Sequence, residues 1–125
     1  MAIDDHTLLI HLHCVTIPPD ELAPFVWYFS EAKFGFTNAL HRRGSFGRGI
    51  AETISSLPLH RIVAETDAPY HPHLPGAPAA LRGPDSRDLI IHPRGMVTEV
   101  VVAVARIREA PLRAAAQGIH GLCLV

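Results

Sequence analysis

Three short apolar runs, at 8–15, 33–37 and 61–67, constrain this chain most, because each has the length of a strand. Leu8 to Val15 is nearly continuous in apolar residues apart from His11 and His13, which predicts a strand covered on both faces. Lys33 to Thr37 reads as a second strand. Arg61 to Asp67 reads as a third, turning polar at its C-terminal end.

The segments between these runs have a helical character. Pro18, Pro19, Asp20 and Glu21 set proline in an entry turn and acids at the positive end, so a helix is expected over Leu22 to Phe29. Asn38 to Gly49, with its glycines and arginines, reads as a loop. Ile50, Ile54 and Leu57 then recur at spacings of four and three, marking one face of a helix that Pro58 ends. The proline-rich stretch from Ala68 to Arg94 reads as a long irregular excursion. A strong helix is expected over Met96 to Arg108, and Pro111 opens a last one through Ala116 that ends near Gly118. Strands alternating with helices indicate βα units on a parallel sheet, so the expected class is α/β.

Composition narrows the partners. A chain of 125 residues is long enough for one domain with its own core. Its net charge is −1 and its acids and bases are interspersed, so no overall basic footprint for nucleic acid is present. No apolar run approaches the roughly 20 residues that span a bilayer, and no membrane partner is expected. Cys14 and Cys123 lie far apart without a secretory segment, which suits reduced thiols and a cytoplasmic or nuclear location.

The chemistry gathers where strands stop. Residues at i and i+2 on a strand share a face, so His11 and His13 point together, as do Glu65 and Asp67. In parallel α/β proteins the C-terminal strand ends carry the site. Imidazole and carboxylate together suit a divalent ion such as Zn²⁺ or Mn²⁺, whose bound water can attack an ester near neutral pH. The ordinary reading of the same residues is a hydrogen-bonded core histidine and a capping aspartate. His71 and His73 are further ligand types, in the proline-rich stretch. Phe25, Trp27, Tyr28 and Phe29 suit a helix packed on a sheet or a stacking platform for bases. Arg42, Arg43 and Arg48 suit phosphate contacts or a solvated loop.

The string Leu57-Pro58-Leu59-His60-Arg61-Ile62-Val63-Ala64-Glu65-Thr66-Asp67-Ala68-Pro69-Tyr70 resembles the last barrel strand of TatD-family deoxyribonucleases. His11-Leu12-His13-Cys14-Val15-Thr16 and Phe34-Gly35-Phe36-Thr37 resemble that family's sixth and seventh strands, in family order, and are most similar to its animal members. The resemblance implies the C-terminal portion, about three βα units, of a TIM-type (β/α)₈ barrel, with residues 1–125 forming one partial hydrolase domain. It implies a metal-dependent enzyme that cleaves DNA phosphodiesters. A divalent ion (Zn, Mg or Mn) would be held by His13 and Asp67, Asp67 would help activate water, and Glu65 would support both.

The family's ligands from earlier strands have no counterpart here, nor do its usual Phe and Gly at Val15 and Ile17 or its C-terminal Asn before a Leu-Phe pair. That implies an incomplete site, a chain without nuclease activity by itself, and self-association through exposed strand edges. The alternatives are a catalytically silent fragment with an interaction role, or a small metal-binding protein using His11, His13, His71, His73 and Asp67.

Overall fold

The computed structural model describes residues 6, 8–42, 44–67, 93–119 and 122–123, with the backbone alone at 93–95 and 122–123. Four parallel strands form one sheet in chain order: β1 (His11–Leu12), β2 (Lys33–Phe36), β3 (Ile62–Glu65) and β4 (Leu122–Cys123). Leu12 pairs with Phe34, Phe34 with Ile62, and Ala64 with Leu122. Helix α1 (Pro19–Tyr28) joins β1 to β2, and α2 (Ser45–Ser56) joins β2 to β3. Helices α3 (Pro93–Ile107) and α4 (Leu112–Gly118) lie between β3 and β4.

Parallel strands need crossovers, and the helices that provide them cover the sheet. Phe34, Phe36, Ile62 and Ala64 are fully buried in β2 and β3, in one core with Leu22 of α1, Ile50 and Ile54 of α2, and Val100 and Val104 of α3. Neither α1 nor α2 has a basic residue in its last turn. Arginines from elsewhere meet their end carbonyls instead, where the helix dipole favours positive charge. Arg61 donates from Nε to Ala32 O at 2.9 Å, and from its two Nη atoms to Val26 O and Phe29 O. Arg108 Nη1 donates to Ser55 O and Leu57 O. These contacts fix the strands between the helices.

The structure departs from the sequence expectations in specific places. The first run is not covered on both faces: only His11–Leu12 pairs as a strand, and Leu9 is 89% exposed. It is the outer strand, with no neighbour on its far side among the described residues. Helix α1 starts at Pro19, where the missing N–H costs nothing. The segment 38–49 is not one loop. Asn38–His41 form a 3₁₀ turn, and α2 begins at Ser45 and takes in both Gly47 and Gly49. Gly47 is required by packing, since a Cβ there would strike the Arg42 carbonyl. Strand β4 was not expected, because two residues carry no periodic signal. Trp27 is 88% exposed, so packing does not account for that aromatic. Among the described residues no helix is long and apolar enough to cross a membrane. His71, His73 and most of the proline-rich stretch lie outside the described residues, as does Arg43.

A candidate metal centre at the strand ends

Strands β1 and β3 are not neighbours, because β2 runs between them. Their chemistry meets only because Glu65, the last residue of β3, reaches across Gly35 of β2. A Cβ on Gly35 would collide with the Glu65 carboxylate, so glycine leaves the channel in which that side chain lies. The Glu65 side chain is completely buried. Its Oε2 accepts the Cys14 backbone N–H at 2.9 Å, while Oε1 lies 2.6 Å from His11 Nε2 and 3.0 Å from His13 Nδ1. A buried carboxylate demands such partners, and Glu65 has three.

His13 completes the group. Its second nitrogen, Nε2, lies 3.2 Å from Asp67 Oδ1, so one imidazole stands between two carboxylates. The hydrogen bond to Glu65, then that to Asp67, raises the His13 pKa above its ordinary 6.5, against a smaller opposing effect of burial. Cys14 and Asp67, each just past a strand, both adopt positive φ, 49° and 47°. Non-glycine residues seldom do so, and such conformations cluster at functional sites. The turn at Cys14 aims its N–H at Glu65. Its thiol lies 3.6 Å from Thr37 Oγ1, and burial pushes its pKa up.

His11 and His13 both reach Glu65, and His13 meets Asp67, the pair that the family resemblance implied. The geometry adds Gly35 and Cys14, whose parts are not visible in residue type; an isolated glycine inside a strand was the available signal for the first. Arg42 lies over the Phe46 ring at 5.3 Å and Arg48 is exposed on α2, so neither joins this group.

The donors fit a divalent ion. His11, His13 and Glu65 offer ligand atoms all within 4.8 Å of one another, and two imidazoles with a carboxylate are the borderline-to-hard set that zinc and manganese accept.

Parallel strands presenting imidazoles and carboxylates together at their C-terminal ends define an α/β protein with a candidate metal site there. Residues 2–120 match the family described as TatD related DNase, and the chain belongs to that family. Over 103 residues it is 34% identical to the 3'-5' RNA nuclease TATDN2 of Homo sapiens. That match covers 82% of this chain and 12% of the length of the human protein.

Proposed function

We propose that this chain is the C-terminal portion of a TatD-type (β/α)₈ hydrolase, a single partial domain whose strand ends help to hydrolyse phosphodiester bonds in nucleic acid. The observation that carries this reading is the His13 ring held between Glu65 and Asp67, in strings that resemble the family's motifs and lie within the matched residues 2–120. His13 and Asp67 would hold the divalent ion, and Glu65 would accept the Nδ1–H of His13, which fixes the ring with Nε2 toward Asp67. The ion, when bound, supplies Lewis acidity to a phosphate oxygen and to water. Asp67, 28% exposed at its side chain, orients that water and receives its proton.

DNA is the substrate that the family description suggests. A relative named an RNA nuclease favours a second reading, in which the polymer is RNA. The deciding assay incubates the full chain with end-labelled single-stranded DNA and RNA in Mg²⁺, Mn²⁺ or Zn²⁺. A chimera in which this chain replaces the matching segment of the human nuclease is run beside it. The chain alone is expected to stay at background, because these groups make only part of a hydrolytic site. The chimera is expected to cleave, and to lose cleavage with Asp67→Asn. A folded chimera indifferent to Asp67 sinks the proposal.

A further inference from the structure

Arg42 leaves the 3₁₀ turn that follows β2, so it stands at the same end of the sheet as His13 and Asp67, which follow the strands on either side. Its guanidinium lies 5.3 Å from the centre of the Phe46 ring, in the first turn of α2, and both residues are exposed. The backbone that presents Arg42 is fixed at two points. Its N–H donates to Ala39 O at 3.1 Å, and Gly47, having no Cβ, lets the Arg42 carbonyl close on α2. The fold leaves this charge unneutralised. Among the described residues no carboxylate pairs with Arg42, and the first turn of α2 holds no acid.

We propose that Arg42 binds a backbone phosphate of the nucleic-acid strand on which the site acts, and that Phe46 is the positioning residue that aims it. This rests on the reading above that the strand ends act on nucleic acid. Glu65 and Asp67 repel a polyanion, so a strand drawn to this end of the sheet needs cations beside the carboxylates. A polymer with one phosphodiester at His13 and Asp67 carries further phosphates past the neighbouring strand end, where Arg42 stands. A guanidinium with one face on an aromatic ring keeps its N–H edge for phosphate oxygens, and its planar fork suits two of them at once. The ring contact also narrows the rotamers of a long side chain before the strand arrives, which lowers the cost of ordering it on binding. Phosphate is common to DNA and RNA, so this contact positions the strand and favours neither polymer.

The test uses the full chain in chelator, so that binding is read without cleavage. The anisotropy of fluorescein-labelled single-stranded DNA and RNA of one sequence is followed from low to moderate salt, with every variant checked by circular dichroism. Arg42→Ala should weaken both polymers about tenfold at low salt and reduce the slope of log affinity against log salt by about 0.7, as one lost phosphate contact on a single strand requires. Arg113→Ala removes the same charge from α4, which packs on Leu59 in the turn that leads into β3 at the other end of the sheet, and should change little. Phe46→Leu should weaken binding about two- to fivefold, Phe46→Trp should retain it, and Phe46→Leu should do nothing further in an Arg42→Ala chain. No salt-dependent binding by the parent, an Arg42→Ala chain that binds like the parent or only like Arg113→Ala, or a loss confined to one polymer would each overturn the phosphate assignment. A Phe46→Leu loss that persists without Arg42 would overturn the positioning role. Binding as described, with a folded chimera whose cleavage ignores Asp67, sinks the hydrolase reading alone; cleavage that needs Asp67, with binding indifferent to Arg42, sinks this inference alone.

Discussion

The Glu65 carboxylate occupies the space that a side chain on Gly35 would need, and this relationship lets β3 reach β1 across the strand between them. Gly35→Ala therefore forces Glu65 out of its channel or distorts the sheet. Overpacking of this kind costs about 1–3 kcal/mol. Urea unfolding should show that loss, and zinc affinity should fall with it. A variant as stable as the parent would mean that Glu65 lies elsewhere.

Arg61 joins the end of α1 to the start of β3 through three backbone carbonyls, with its guanidinium 5.1 Å from the Phe34 ring centroid. A lysine cannot present that planar fork. Arg61→Lys leaves buried and part-buried carbonyls unmet and should lower stability by about 1–3 kcal/mol. The denaturation midpoint of the variant checks this.

The histidines give opposite pH dependences in metal-free protein. His13 has a folded pKa above 6.5, so its bonds to Glu65 and Asp67 stabilise the fold fully below that pH. That contribution is lost as pH rises through the folded value. His41, half-buried, has a pKa pushed below 6.5 chiefly by burial, so its contribution is present above 6.5 and lost as pH falls through the depressed value. Unfolding measured from pH 5 to 8 in chelator should therefore show the gap between parent and His13→Ala narrowing as pH rises. The gap between parent and His41→Gln should narrow as pH falls.

Much of this architecture was legible in the sequence, and the failures have physical causes. Strands β2 and β3 read correctly because they are central and mostly apolar, and α2 and α3 because they bury one helical face. The first run misled because its composition is that of a covered strand while its place is at the edge. Gly47 and Gly49 suggested a loop, whereas Gly47 is demanded by close approach to Arg42. At the site, the i and i+2 spacing correctly paired His11 with His13. Strand order is a long-range property, so spacing could not show that Glu65 would cross β2, or that His11 would share its oxygen with His13.

Leu9 and Trp27 are almost fully exposed, and the outer edge of β1 has no strand beside it among the described residues. Such surfaces favour association. Sedimentation should show concentration-dependent dimers or larger species, reduced in a Leu9→Gln, Trp27→Gln double variant of unchanged stability. A monomer at all concentrations would contradict this.

The most direct test of the account is calorimetric zinc titration of the full chain beside His13→Ala, because His13 stands between both carboxylates. One ion should bind per chain, and removal of this imidazole should abolish that binding while circular dichroism stays unchanged. Zinc bound equally well by a folded His13→Ala chain would contradict the claim that the strand-end group is a metal centre.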